Sequence, residues 1–316
     1  MSIPLTAWIG VDWGTSHMRA WAFDNDNHVI AQAASPRGMA SLAPAEPDDP
    51  RKPERNPSPT NPFEQALMSL VSGWLPPTQT TPVVTCGMVG ARQGWQEAPY
   101  VKTPCTPPIL NQSIGVVSAD SRLSVHILPG VAQDSPPEVM RGEETQIGGL
   151  LAKEPDFTGL VCLPGTHSKW VRIQPGGTIT SLATYMTGEL FRLLHHHSLL
   201  RFSTSKDGEN AEAFAQGVHD GYSDSPDLTR LLFGIRAQQL LDDNPPNVAS
   251  LSRLSGLLVG AELASGLRSR TDTKQIVIIG KLAPLYRQAF QEIGVATREV
   301  DSRTATCDGL IRVWRT

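Results

Sequence analysis

The chain reads as an α/β protein in two lobes, and three observations lead there. Strand patterns give way to helical ones twice along its 316 residues. A polar turn between apolar strands, IGVDWGTSHMRAW, returns roughly 150 residues later as VCLPGTHSKWVRI. The length suits one large or two medium domains and is enough to bury a substantial core. The expected division is an N-terminal lobe over 1–147 and a C-terminal lobe over 148–316.

The elements follow from pattern and punctuation. Apolar, β-branched and aromatic residues predict strands over 7–11, 18–24 and 29–34, with Asn25-Asp26-Asn27 supplying the turn between the last two. Residues 44–62 are crowded with proline and charge and read as a solvated, mobile insertion. Phe63, Ala66, Leu67, Leu70, Val71 and Trp74 then recur at helical spacing behind an Asn61 cap and Pro62 in the first turn. Short strands are expected over 83–85 and 124–128, and a helix from Gly142 onward. The second half repeats the scheme, with strands over 159–163, 169–173 and 178–185 and a turn at Pro175-Gly176-Gly177. Helices are expected over 189–200, 211–222, 228–241 and 249–268, then a strand over 274–279 and helices over 282–293 and 304–314.

Composition narrows the classes. The formal net charge of −4 gives no basic footprint, so nucleic acid is not an expected partner. Four cysteines lie far apart with no CxxC pair, which suits a reduced compartment without a structural metal. The first residues lack the basic-then-apolar pattern of a secretory signal. No apolar run approaches the roughly 18 residues that span a bilayer. A cytoplasmic protein without membrane contact is the expectation. A homodimer is among the expected assemblies.

The repeated turn fits phosphate binding. Glycine lets the backbone approach an anion, successive N–H groups at a tight turn form an anion-binding concavity, and Thr and Ser add hydroxyl donors. Two such turns, around Gly14-Thr15-Ser16 and Gly165-Thr166-His167, could hold a nucleotide's phosphates from both sides; two unrelated β-turns are the plainer alternative. Asp12 departs from a simple turn. Beside a triphosphate its charge calls for a cation, and Mg²⁺ held by one carboxylate, water and phosphate answers that; an Asx-turn is the alternative. Arg19, in the returning strand, could reach a phosphate as a forked donor or pair with an acid.

Glu143 and Glu144 open a helix after Gly142, where the helix dipole favours negative charge. They read either as dipole-complementing residues or as a general base that accepts a hydroxyl proton. Gly148-Gly149 permits close packing where this helix passes between lobes. QIVIIGKLAPLY is a buried strand, a glycine turn and a helix start, able to take a purine face against backbone. Consecutive His195-His196-His197 diverge by about 100° each on a helix and cannot share one metal. Trp170 and Trp314 read as packing residues.

Together, GVDWGTSHMRAWAFD, RGEETQIGGLL, CLPGTHSKWVRI and VIIGKLAPLY resemble, in order, the first phosphate motif, connecting helix, second phosphate motif and adenosine motif of the sugar-kinase, heat-shock-protein and actin superfamily. More narrowly, DWGTSHMRAW, RGEETQ, PGTHSKW and YMTGELF resemble the 2-dehydro-3-deoxygalactonokinase family over nearly the whole chain. The resemblance implies a two-lobed actin-like ATPase (ribonuclease H-like) fold with an interlobe cleft. It also implies ATP-dependent phosphorylation of 2-dehydro-3-deoxy-D-galactonate on its 6-hydroxyl, with Mg²⁺. Position by position, Asp12 matches the metal- and phosphate-organising acid. Gly14, Thr15 and Arg19 match phosphate contacts, with Ser16 in the same turn. Gly165, Thr166 and His167 match the second turn, and Gly280, Leu282 and Ala283 the adenosine motif. Related kinases usually begin the connecting helix with Asp; alignment on Gly142 selects Glu143 as base and alignment on Gln146 selects Glu144. Lys281 stands where a second glycine is common.

A sugar acid needs a cationic or backbone donor for its carboxylate. GMVGARQGWQEAPYV follows a central strand, where open α/β sheets place ligand loops, and makes Arg92 the candidate for that carboxylate, with Trp95, Glu97 and Tyr100 shaping the pocket. TYMTGE over 184–189 is a second candidate wall. The alternatives are another sugar-acid kinase, including one for the gluconate epimer, a sugar-responsive regulator without catalysis, and an actin-like phosphatase or ATPase.

Overall fold

A computed structural model describes residues 5–43, 61–243, 245–268 and 275–316. Most of the proline-rich insertion, 44–60, lies outside the described residues. Its last two positions do not: Asn61 caps the following helix through Oδ1, which accepts the Phe63 N–H at 2.9 Å.

The chain forms two compact α/β units. The first comprises 1–156, 176–179 and 303–316, and the second 157–175 and 180–302. In the first, β1 (Trp8–Trp13), β2 (Met18–Phe23) and β3 (Val29–Ser35) form an antiparallel meander. A short α1 (Met39–Leu42) and α2 (Pro62–Val71) follow, then β4 (Thr81–Gly87), which pairs parallel with β1. Beyond it come β5 (Tyr100–Lys102), β6 (Ile114–Val116), β7 (Leu123–Ile127), β8 (Gly130–Gln133), β9 (Glu138–Met140) and α3 (Glu143–Lys153). The main sheet runs β3-β2-β1-β4-β7-β6, and a small sheet runs β5-β8-β9.

The second unit repeats the scheme. β10 (Gly159–Leu163) pairs antiparallel with β11 (Ser168–Gln174), and β12 (Thr178–Tyr185) lies beside β11. Helices α4 (Thr187–His197), α5 (Ala211–Ser223), α6 (Leu228–Leu241) and α7 (Val248–Gly266) precede β13 (Ile276–Ile279), α8 (Ala283–Glu292) and β14 (Arg298–Val300). β13 is parallel to β10 and to β14, giving the order β12-β11-β10-β13-β14. A meander whose first strand also begins a parallel series occurs in both units. This is the ribonuclease H-like arrangement expected of the actin-like class.

The central strands are buried on both faces, which is why they read as nearly continuous apolar runs. Along β1, Ile9, Val11 and Trp13 join Phe63, Leu67 and Val71 in one core, while Trp8 faces the opposite core with Leu310 and Val313. Those last two residues belong to the terminal helix, α9 (Ser302–Trp314). The expected division into 1–147 and 148–316 is corrected accordingly. α9 returns to the first unit because Leu310 and Val313 cover the second face of its sheet.

The Gly148-Gly149 pair also has a different neighbour from the one expected. A Cβ on Gly149 would collide with the Ala305 carbonyl of α9, and one on Gly309 would collide with the Thr145 carbonyl of α3. Two glycines thus let α3 and α9 approach backbone to backbone inside the first unit. Gly149→Ala should therefore destabilise the protein by about 1–3 kcal/mol through overpacking. In a solvated helix the same change stabilises by about 1 kcal/mol. Urea unfolding checks the sign, and a gain in stability would contradict the packing account.

Candidate functional site

In the first unit, three remote segments meet at the carboxyl ends of β1 and β4. Asp12 stands opposite Arg19 across the β1–β2 hairpin and opposite Cys86 on β4. Trp13 stands opposite Gly87, and a Cβ on Gly142 would lie 3.2 Å from the Gly87 Cα. Gly142 has φ +109°, so the chain turns there into α3 in a conformation that favours glycine. The start of α3 is thereby brought beside Asp12, and the electrostatics agree. Burial pushes the Cys86 thiol well up, and the negative charges of Asp12 and Glu144 push it the same way.

The hairpin turn is exposed at Thr15, Ser16 and His17 and closed by the Gly14 N–H donating to the His17 carbonyl at 2.9 Å. Arg19 donates to Asp12 Oδ2 through Nε at 3.1 Å and also through Nη2. Both Arg19 contacts fall on Oδ2, so Arg19 is a partner of the acid. The turn is backed by α1: the N–H groups of Met39 and Ala40 donate to the carbonyls of Gly14 and Thr15, each at 3.0 Å. A Cβ on Gly38 would run into Thr15 and Ser16. The second turn is backed in the same way. The Glu189 N–H donates to the Thr166 carbonyl at 2.9 Å, a Cβ on Gly188 would run into Gly165, and His167 Nε2 pairs with the Glu189 carboxylate. The backing glycines fall 24 residues after Gly14 and 23 after Gly165, so the internal repeat extends further than the hairpins that reveal it.

The two glutamates at the start of α3 have different environments. Glu144 is 1 % exposed, and both its oxygens accept the Gly142 N–H at 2.8 Å. Burial, helped by the charge of Glu143, pushes its carboxyl up to about 8. Glu143 is half-buried, and its Oε2 accepts the Arg141 N–H at 3.0 Å.

The loop after β4 divides the expected sugar-acid residues. Arg92 and Glu97 are exposed. Trp95 is a correction: it lies in the core against Phe63 and Trp13, with ring centroids at 6.5 and 6.3 Å, so packing claims the ring. The ring of Tyr100 is covered by the Arg141 guanidinium 4.2 Å from its centroid. Arg141, which no pattern in the sequence marks, is buried and donates through Nη2 to the Ala98 carbonyl at 2.8 Å. Its Nε and Nη1 have no hydrogen-bond partner among the described residues. It pins this loop to the start of α3.

In the second unit, a cavity of about 300 Å³ joins two motifs. Gly165 from the second turn and Leu282 from the strand–helix turn both line it, together with Thr187, Phe191, Ser255 and Tyr286. Gly280 supports the turn from beneath, since a Cβ there would lie 3.1 Å from the Pro164 carbonyl. Ala283 is a correction: it is buried in the core at the start of α8, away from the cavity lining. The 184–189 segment contributes Thr187 and Gly188 to this cavity, so among the described residues it walls the second unit's pocket.

A family model described as 2-keto-3-deoxy-galactonokinase matches residues 12–313. The chain belongs to the 2-keto-3-deoxy-galactonokinase family. A probable 2-dehydro-3-deoxygalactonokinase of Rhizobium meliloti is 35% identical over 95% of this chain and 94% of its own length. The 2-dehydro-3-deoxygalactonokinase of Escherichia coli is 33% identical over 96% of each. The crystal structure of a putative 2-dehydro-3-deoxygalactonokinase protein from Sinorhizobium meliloti superposes with a TM-score of 0.84 at 34% identity, covering 98% of both chains.

Asp12 is the acid to which the sequence resemblance assigns a metal. Among the described residues, the one group with three metal-ligand side chains in reach is Asp24, Asp26 and His28, in the exposed turn between β2 and β3. Asp12 therefore offers a single carboxylate rather than a cage. That donor set fits Mg²⁺, which keeps most of its shell as water and phosphate oxygen. No helix among the described residues is long and apolar enough to cross a membrane.

The buried acid carries a pH signature. An unfolded Glu144 titrates near 4.5 and the folded one near 8, so the fold holds a proton that the unfolded chain releases between those values. Its stabilising contribution is complete below about pH 4.5 and is lost as pH rises toward 8. Glu144→Gln, which mimics the protonated acid, should gain stability relative to the parent as pH climbs from 5 to 8 in denaturant titrations. A stability difference that stays flat with pH would contradict the assignment.

Proposed function

We propose that this kinase transfers the γ-phosphoryl group of ATP to the 6-hydroxyl of 2-dehydro-3-deoxy-D-galactonate, with Asp12 as the organising acid and Glu143 as the general base. The observation that carries the reading is the convergence of Asp12, Gly87 and the start of α3 at one edge of the first sheet, beside a glycine-backed turn. The family membership supplies the reaction class.

Thr15 and Ser16 offer phosphate oxygens backbone and hydroxyl donors in the first unit, and the turn at Gly165, Thr166 and His167 offers the same kinds of donor in the second. Such donors are already oriented when charge moves onto the bridging oxygen, so little reorganisation is needed in the transition state. The cavity between Gly165 and Leu282 takes the adenosine. Its apolar lining and few polar groups suit a flat heteroaromatic ring. Mg²⁺ held by Asp12 would offset phosphate charge. Arg19 aims the Asp12 carboxylate by bonding one of its oxygens.

Glu143 is favoured over Glu144 on environment. A base must be deprotonated and reachable. Glu144 is enclosed and held protonated near neutrality, whereas Glu143 is partly accessible. In the transfer, the sugar O6 forms the new bond to phosphorus as the bond to the bridging oxygen of ADP breaks. The proton of O6 passes to the Glu143 carboxylate. Arg92 and Glu97 remain the candidates for the exposed side of the sugar-acid pocket. A cytoplasmic setting goes with this reading, because ATP is abundant there and all four cysteines are free thiols.

ADP release in a coupled assay tests these roles. Asp12→Ala should lower kcat by at least 10³-fold, on the order of removing a principal charge-stabilising group. Glu143→Gln should lower it about 10²–10⁴-fold, and Glu144→Gln less than tenfold. An active Asp12→Ala enzyme, or a Glu144→Gln loss larger than that of Glu143→Gln, would overturn the assignment. The same assay with the gluconate epimer separates this reading from a kinase for the other ketodeoxy acid.

A further inference from the structure

In the core of the second unit lies a carboxylate with no part in the chemistry above. Glu262, on α7, is 3 % exposed. It accepts the Trp170 indole N–H at 2.8 Å on Oε1 and the Tyr286 hydroxyl at 2.7 Å on Oε2. The hydroxyls of Thr187 and Ser168 also hydrogen-bond to it. Ser168 Oγ lies 3.0 Å from the Tyr286 oxygen, and because Tyr286 donates to Glu262, the single Ser168 proton is shared between that oxygen and the carboxylate. Burying a carboxylate against Trp170 and Tyr286 of this apolar core is costly, and an apolar residue of similar volume would hold the helices together as well or better.

What an apolar residue would not do is fix the donors. Each hydroxyl in the network belongs to an element at the cavity. Ser168 follows His167 directly at the end of the second turn. Thr187 opens α4 and lines the cavity, one residue before the glycine that backs Gly165. Tyr286 on α8 lines it too. With its proton committed to Glu262, the Thr187 hydroxyl turns only lone pairs outward, and Tyr286 is likewise held as a donor inward. A satisfied network of this kind sets rotamers as well as packing.

We propose that Glu262 is the positioning residue of the nucleotide pocket: it aligns the second phosphate turn, the start of α4 and Tyr286 for ATP without touching it. This rests on the cavity being the adenosine site. Its consequence is a split in the kinetics. Disturbing Glu262 weakens nucleotide binding and leaves recognition of the sugar acid, which draws on first-unit residues, untouched.

The test measures ADP affinity by calorimetry and both KM values on the full chain. Glu262→Gln keeps the volume but replaces one accepting oxygen with a donating NH₂. It should weaken ADP and raise KM for ATP about 5–20-fold, with KM for the sugar acid within twofold and kcat at saturation within threefold. Trp170→Phe removes one donor, keeps an aromatic ring in the core and should give the same split at about 2–5-fold; it decides the matter if Glu262→Gln does not fold. A lowered melting temperature with unchanged ADP affinity and unchanged KM for ATP in these variants would overturn the proposal. Ser255→Phe, which fills the cavity, separates the two claims. If it abolishes ADP binding while the Glu262 and Trp170 variants bind normally, only the positioning role falls. If it binds ADP as the parent does, the cavity is not the nucleotide site.

Discussion

The architecture depends on what lies behind the two polar turns. An exposed Gly-Thr turn offers donors to an anion only if its backbone is held in one shape, and here each is held by the start of a helix that donates to its carbonyls. The contact is close enough that only glycine fits, Gly38 in one unit and Gly188 in the other. Strand order follows from the same demand. The turn must sit where an antiparallel hairpin ends beside a parallel neighbour, because there the next loop can bring further groups to it. β4 does this for β1, and β13 does it for β10. The cost is backbone freedom at the glycines, offset by large cores on both faces of the first unit's sheet.

Adjacent carboxylates in the same helical turn are set apart chiefly by burial. Glu144 faces inward, satisfies the N–H of Gly142 and keeps its proton near neutrality, so it serves the fold. Glu143 stays at the edge, where a substrate hydroxyl could reach it. A similar division holds among the arginines. Arg141 is turned inward to the Ala98 carbonyl and the Tyr100 ring, whereas Arg92 stands outside on the loop. Charged residues close in sequence thus share neither exposure nor task, and the fold sorts them.

Much of this was legible beforehand, for physical reasons. The central strands are buried on both faces, so their apolar runs stand out. The 228–241 helix is found at the expected bounds, and the cap at Asn61 is realised as drawn. The repeat was visible because the hairpins share residue types at fixed spacing. Its backing was invisible, since Gly38 and Gly188 sit in dissimilar segments and their meaning is a through-space contact. The short strands of the small sheet carry only three or four residues each, too few to show a period. The return of α9 to the first unit rests on Leu310 and Val313 meeting Trp8, about 300 residues away. Trp95 looked like a pocket wall because its neighbours in the loop are polar, yet the ring turns inward. Glu262 gave no signal, because a lone glutamate in a helical stretch reads as surface.

A kinase of this family moves one phosphoryl group onto its sugar acid, and the product shows which hydroxyl receives it. Phosphorus NMR of the purified chain with ATP, Mg²⁺ and 2-dehydro-3-deoxy-D-galactonate should show a single phosphomonoester coupled to the two protons of C6, formed in step with ADP. Inorganic phosphate as the only new resonance, or a phosphomonoester coupled to a secondary carbinol proton, would contradict the account.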